Sequence, residues 1–302
     1  MKPAIATVIN YCTQDYRFLS LCVKEAEKFS DAIIIPVCSH FFDGIEENAA
    51  LLKQSYADHP NCHFIEFAYD SRHPYGMYAK IDAEDPNWSH YWHSTARYVG
   101  YHYIPKPVSY VLFIDVDEIF DGDRFLRWLQ NFPYEQYDVL RFSSYFYFRD
   151  PMYRMQDFTQ NAVLAKKEKV EAETTLLSIY ERKAIFMEVE GRKLQHIVDE
   201  RGVPFVHHYS WVRTKEELLY KVQRWGHCKE GNFTKLLEKE FSGDFRGFDC
   251  VYGKSYEQVL PVHDPLKVKV QIDPSKIESH DFSNVTKVDK SAILRKSVQN
   301  ML

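Results

Sequence analysis

The chain lacks any apolar run approaching the roughly 20 residues that cross a bilayer, so no membrane-spanning helix is expected among its 302 residues. Residues 1–10 (MKPAIATVIN) carry a short apolar stretch with no cleavage site after it, and read as a first strand rather than a signal peptide. Positive charge is not in excess: 38 Lys and Arg against 43 Asp and Glu give a net charge of −5, which argues against a nucleic-acid binder. The six cysteines are scattered with no CxxC pair, the pattern of reduced, buried thiols in a cytoplasmic protein, where the sequons at Asn87, Asn232 and Asn284 would stay unmodified. No internal repeat and no low-complexity tract is present. An HExxH motif and a dense histidine cluster are missing, which disfavours a hydrolytic metalloenzyme. Residues 10–15 (NYCTQD), after the first strand, contain no glycine, which disfavours the Gly-rich phosphate loop of a nucleotidyltransferase.

What is present is an alternation of strand and helix patterns, the mark of an α/β domain with a mostly parallel central sheet and helices on its faces. Residues 5–10 form a compact apolar strand. Phe18, Cys22, Ala26 and Phe29 then recur at helical spacing. Strands are expected at 32–37 and 63–68, with a polar helix over 44–55 between them. Residues 69–89, rich in Asp, Pro, Tyr and His, read as a binding loop, and Tyr75 and Trp88 are candidate acceptor contacts. A helix striped by Trp92, Ala96, Val99 and Tyr103 leads to a fourth strand, 110–114, which runs into Asp115-Val116-Asp117-Glu118. Beyond it a short helix is expected at 123–131 and strands at 138–148, 176–189 and 203–209. Thr214 and Glu217 form a capping box that opens a helix with Leu218, Val222 and Trp225 on one face. The expected division is a catalytic domain at 1–230, with a nucleotide-binding half at 1–120 and an acceptor-side half at 121–230, followed by a helical or irregular extension at 231–302.

The acidic cluster carries the chemistry. An isolated Asp-x-Asp is usually a solvated turn, but this one closes a buried strand of an alternating unit, and ligands of open α/β sheets bind beyond the carboxyl ends of strands. If the extended conformation continues, Asp115 and Asp117 point the same way. Two neighbouring carboxylates repel unless a cation or proton lies between them. Mn²⁺ or Mg²⁺ suits that place, with phosphate oxygens completing its shell.

Three segments resemble glycosyltransferases of the GT-A fold: 5–11 (IATVINY), their first nucleotide-binding strand; 96–100 (ARYVG) leading into 111–117 (VLFIDVD), the helix and strand before their Asp-x-Asp motif; and 206–213 (VHHYSWVR), a C-terminal run of bacterial family 2-like members. The resemblance spans residues 4–230. It implies transfer of a sugar from a nucleotide-sugar, a UDP-sugar by expectation, to a glycan or glycolipid hydroxyl, as in surface polysaccharide synthesis, by an enzyme that is cytoplasmic or peripheral at a membrane. By the same resemblance Asp117 is the direct metal ligand and Asp115 contacts the metal or the ribose. His208 completes the metal shell, with His207 as the alternative. Arg97 lies near the donor, unless it is a solvated helix residue. Arg213 and Lys215, at a helix start, would face the diphosphate or are plain surface charge. Asn10, Tyr11 and Ser39, at strand ends, would hold base and ribose or are loop polarity. The family's Glu-Asp dipeptide is missing between 140 and 200, so Glu171, Glu173 and Glu181 remain candidates for the catalytic base. Two other readings stand beside this one: a nucleotidyltransferase on a similar sheet, and a carbohydrate-binding or scaffold protein that has kept the fold and lost turnover.

Overall fold

The structure is a computed structural model that describes residues 4–70, 75, 85, 87–228 and 230–301, with side chains to residue 297. In chain order the first half runs β1 (Ile5–Asn10), α1 (Tyr16–Ala26), β2 (Ala32–Cys38), α2 (Ala49–Asp58), β3 (His63–Phe67), α3 (Trp88–Tyr101) and β4 (Tyr110–Asp115). The second half runs β5 (Glu118–Phe120), α4 (Gly122–Asn131), β6 (Val139–Phe148), β7 (Asp150–Met155), β8 (Thr159–Lys166), α5 (Glu181–Glu188), β9 (Lys193–Ile197), β10 (Val206–Trp211), α6 (Lys215–Val222), α7 (Phe233–Glu240), β11 (Tyr256–Gln258), α8 (Pro274–Ser279), β12 (Val285–Val288) and α9 (Lys290–Met301).

All the described strands join one sheet, whose main path is β11-β7-β6-β8-β4-β1-β2-β3-β12. The half from β4 to β12 is parallel throughout. β8 joins β4 and β6 antiparallel, and β10 runs parallel to β6 while pairing antiparallel with β5. Both faces are covered. On one, Phe18, Cys22 and Phe125 from α1 and α4 pack on Ile9, Ile114 and Phe142. On the other, Trp92, Ala96, Val99 and Ile185 from α3 and α5 pack on Val8, Phe113 and Val163. A strand buried on both faces reads as a continuous apolar run, which is why β1, β2 and β4 stand out in the sequence. At Gly100 a Cβ would lie 2.8 Å from Val8 Cγ1, so α3 approaches the sheet closer there than any side chain would permit.

Several expectations shift. Residues 176–189, read as a strand, hold no strand: 177–180 turn and 181–188 form α5, with Glu181, Ile185 and Val189 recurring every four residues on the buried face of the helix and its end. The second helix starts at Ala49, where the Asn48 side chain accepts from Leu51 N at 3.1 Å, rather than at Gly44, which has a positive φ of 89°. Residues 231–302 are no mere appendage, because β11 pairs with β7 at one edge of the sheet and β12 with β3 at the other. The capping box is present as expected: Glu217 N donates to Thr214 Oγ1 at 3.3 Å and Thr214 N to Glu217 Oε2 at 2.9 Å. No helix of the described residues is long and apolar enough to cross a membrane. All six cysteines are free, four of them buried.

Candidate active site

β1 has β2 on one side and β4 on the other, both parallel: the chain runs outward from β1 through β2 to β3 and then returns to the far side of β1 as β4. Such a reversal of strand order opens a crevice beyond the carboxyl ends. Here Asn10 is in register with Asp115, the last residues of β1 and β4. A cavity of about 500 Å³ lies there, lined by Asn10, Tyr11, Asp115, Asp117, Glu181, Arg182, His208 and Lys221 among others. The aromatic rings of Phe42, Phe146, Tyr180, Trp211 and Trp225 supply flat apolar walls between the charges.

The strand ends at Asp115 and the chain turns at 116–117, so the two aspartates do not continue one extended face. They meet different partners. Asp115 Oδ1 accepts from the Arg97 guanidinium and lies 3.3 Å from His93 Nε2, while Oδ2 accepts from Arg182 Nη2 at 2.8 Å. Asp117 Oδ2 accepts from Lys221 Nζ at 3.1 Å, with Arg213 Nη2 at 3.6 Å, and Oδ1 lies 3.5 Å from His208 Nε2. The mutual repulsion inferred from the sequence is therefore relieved by the protein's own cations, and Asp115 has both oxygens committed to guanidinium groups. It does not fit as a metal ligand. Asp117 and His208 do fit one: a carboxylate oxygen and an imidazole nitrogen, both on the cavity wall, form a donor set suited to Mn²⁺.

Burial by itself would raise both aspartate pKa values. Arg182, Arg97 and His93 instead hold Asp115 well below the carboxylate range, and Lys221 and His208 do the same for Asp117. Burial by itself would lower the His208 pKa, but the hydrogen bonding and charge of Asp117, with Glu118 and Asp115 behind it, turn the net shift upward. Glu118 is fully buried, and burial is the largest cause of its raised pKa; Arg182 opposes that through its Nη1, 2.6 Å from Glu118 Oε2. A short element places His208. β5 pairs antiparallel with β10 so that His208 sits opposite Glu118, and Tyr209 N donates to Asp117 O at 2.8 Å. His207 therefore faces the other side, where the Tyr147 hydroxyl is 2.8 Å from its Nδ1.

The remaining sequence candidates divide. Arg97 is no solvated helix residue: it is fully buried, donating to Asp115 and to Glu181. Arg213 is buried behind Asp117, donating to Asp15 and to Gln14 O, with its guanidinium over the Phe18 ring. Glu181 lines the cavity, but its link to Arg97 keeps its pKa low against the upward pull of burial, which makes it a weak proton acceptor. Ser39, Glu173 and Lys215 do not line the cavity. Ser39 Oγ accepts from Tyr69 N and pairs with His40. Glu173 accepts from the hydroxyls of Tyr98 and Ser297 between α3 and α9, away from the residues that line the cavity. Lys215 sits in the first turn of α6, while the lysine of that helix that reaches the site is Lys221. Of the expected acceptor loop, residues 71–74, 76–84 and 86 lie outside the described residues. Tyr75 and Trp88 are buried against Trp92, so they are core rather than contact residues. His93, Arg141, Arg182 and Lys221 were not singled out in the sequence. Lys221 alone carried a signal, since it lies on the buried face of α6 with Leu218 and Val222, where a lysine needs a carboxylate.

No family model and no curated protein matches the sequence. Among solved structures the chain is similar to a glycosyltransferase from Streptococcus pneumoniae, with 12% identity, 80% of this chain and 64% of that one covered, and a TM-score of 0.37. It is also similar to a mannosyltransferase from Pyrobaculum calidifontis in complex with GDP-Man and Mn²⁺, with 9% identity, 80% and 69% coverage, and a TM-score of 0.39. A third likeness is to 4-diphosphocytidyl-2C-methyl-D-erythritol synthase from Anaerococcus prevotii, with 10% identity, 64% and 87% coverage, and a TM-score of 0.39. At these identities and TM-scores the likenesses decide neither family nor activity.

Proposed function

We propose that the chain is a glycosyltransferase that binds a nucleotide-sugar, a UDP-sugar in the first instance, with a divalent cation in the cavity beyond β1 and β4. The observation that carries this reading is the cavity itself: Asn10, Tyr11, Asp117 and His208 converge at a strand-order reversal, in a space with both aromatic walls and charge. Its charge balance supports the cation. Five carboxylates (Asp15, Asp115, Asp117, Glu181 and Glu230) and four cations (Arg141, Arg182, Lys183 and Lys221) line it, and Arg97 and Arg213 behind them already serve Asp115, Glu181 and Asp15. The lining itself is one carboxylate in excess, so a divalent ion arriving with the ligand would be held there and would add to Arg141 and Lys183 in meeting a diphosphate. Asp117 and His208 would hold it, and it would stabilise charge on the departing diphosphate as a Lewis acid.

The protein's own groups have the supporting roles. Lys221 fixes Asp117 through Oδ2 and leaves Oδ1 toward His208. Arg97 and Arg182 clamp Asp115 at the end of β4, which orients the edge where the ribose would rest. Trp211, Trp225 and Phe146 offer faces on which base or sugar can lie. The acceptor is a glycan or glycolipid hydroxyl, and the protein works in the cytoplasm or at a membrane surface.

A thermal-shift screen of nucleotide-sugars with and without Mn²⁺ tests the proposal, since a ligand that binds only the folded state must raise the melting temperature. A UDP-sugar with Mn²⁺ should raise it, and Asp117→Ala should abolish the rise. Slow release of nucleoside diphosphate would mark an enzyme, release of pyrophosphate from a nucleoside triphosphate would mark a nucleotidyltransferase, and a shift with neither would mark a binding protein. An Asp117→Ala variant that responds like the wild type would refute the metal assignment.

A further inference from the structure

A second group of metal-type donors stands at the rim of the same cavity, built from two distant parts of the chain. His90 comes from the first turn of α3, and His227 and Glu230 from the segment after α6. Glu230 Oε1 lies 2.7 Å from His90 Nε2 and 2.8 Å from His227 Nδ1. The two imidazoles meet edge to face, with centroids 4.4 Å apart and planes at 86°. Among the described residues, Glu230 forms ion pairs with these two imidazoles only. The close fit extends to the backbone: a Cβ at Gly226 would sit 3.3 Å from His90 Nδ1, so the segment approaches α3 where there is least bulk. His90 is buried, His227 half-buried and Glu230 exposed, so the three atoms converge where an ion could enter from solvent.

We propose that His90, His227 and Glu230 form a transition-metal site, for Zn²⁺ before any harder cation, which fastens residues 226–228 and Glu230 to α3 and so shapes one wall of the cavity. Two imidazoles and one carboxylate are a donor set that Zn²⁺ takes with a fourth position open. Mg²⁺ prefers oxygen donors and retains its water, so it competes poorly here. A tetrahedral Zn²⁺ with bonds of about 2.0–2.1 Å sets its donor atoms about 3.3 Å apart. The present separations of 2.7 and 2.8 Å need to open by only about half an ångström. All three residues line the cavity, so the open position can take water or an oxygen of a bound molecule. The site shares no residue with Asp117 and His208, and it does not depend on the transferase reading.

The test uses tag-free protein, stripped with chelator and titrated calorimetrically with Zn²⁺ alone in the absence of nucleotide. One Zn²⁺ per chain should bind, with a higher melting temperature, and Co²⁺ in its place should show the visible absorption of a four- or five-coordinate ion. Glu230→Gln and His227→Ala, at positions 45% and 40% exposed, should each lower Zn²⁺ affinity about tenfold or more, and their circular dichroism should match the wild type. Asp117→Asn should leave the affinity unchanged, which separates this site from the one at the strand ends. Failure to take up Zn²⁺, unchanged affinity in both variants, or loss of binding in Asp117→Asn alone would overturn the assignment.

Discussion

Arg97 is buried to the last atom, yet it carries a full charge, because Asp115 and Glu181 each accept from one of its terminal nitrogens. Removing one partner of such a network leaves the others charged and unsolvated, which costs about 3–5 kcal/mol. Arg97→Met should therefore destabilise the fold by an amount in that range in urea unfolding. A loss under 1 kcal/mol, on the order of what an exposed pair contributes, would mean that water reaches these carboxylates. Asp115, Asp117, Asn10 and Tyr11 were legible in the sequence because a run of apolar residues announces a buried strand, and polar residues just past it have one place to go. Arg182 and Arg141 were not, because a charged residue on a helix or strand next to other charges looks the same whether it faces solvent or a carboxylate. Which of His208 and His207 faces the cavity depends on a pairing invisible in the sequence, the three-residue β5 opposite β10.

At the scale of elements, α3 is the part whose seating decides the site, since it carries His90, His93 and Arg97 on one helix. Gly100 controls that seating. On an exposed helix, Gly→Ala would stabilise by about 1 kcal/mol through propensity alone. Here the added methyl would meet Val8 Cγ1 at 2.8 Å and Pro36 Cγ at 3.2 Å, so Gly100→Ala should instead destabilise by about 1–3 kcal/mol in denaturant unfolding. A stabilised variant would show that helix and sheet are less tightly packed than described. α6 is seated by its capping box, and Thr214→Ala should cost about 1 kcal/mol. That helix was legible from its cap, and β1 to β4 from their apolar runs. α5 was misread because Leu176, Leu177 and Ile179 precede it in an apolar cluster that imitates a strand, while its buried stripe is short. β11 and β12 were missed for another reason: these edge strands are half exposed and pair across more than a hundred residues, so neither alternation nor length marks them.

At the scale of the whole molecule, three histidines are kept neutral by burial: His59 and His102 have pKa values pushed down to about 4, and His207 to about 3. Unfolded, each would titrate near 6.5, so between those values the unfolded chain binds more protons than the folded one. The stability these residues allow is complete above pH 6.5 and is lost as the pH falls toward 4. Melting temperature measured from pH 7 to pH 4 should fall through that window. His207→Asn, which keeps an acceptor for the Tyr147 hydroxyl, should fall less steeply. Glu47, its pKa pushed up to about 8 by burial, pulls the other way over the same range, so the difference between variant and wild type is the test. An unchanged slope in His207→Asn would contradict the burial of that ring. The layered α/β architecture was legible because alternation of elements is a property of the entire chain. The closing of both sheet edges by residues from 231–302 was not, since that depends on where the last segments find unpaired backbone. The account as a whole turns on a divalent ion held beside the ends of β1 and β4. The most direct measurement is an anomalous difference map from crystals grown with UDP and Mn²⁺. The account predicts one peak within coordination distance of Asp117 Oδ1, His208 Nε2 and a phosphate oxygen. Phosphates resting on Arg182 and Lys221 with no peak between them and Asp117, or a sole peak elsewhere, would contradict it.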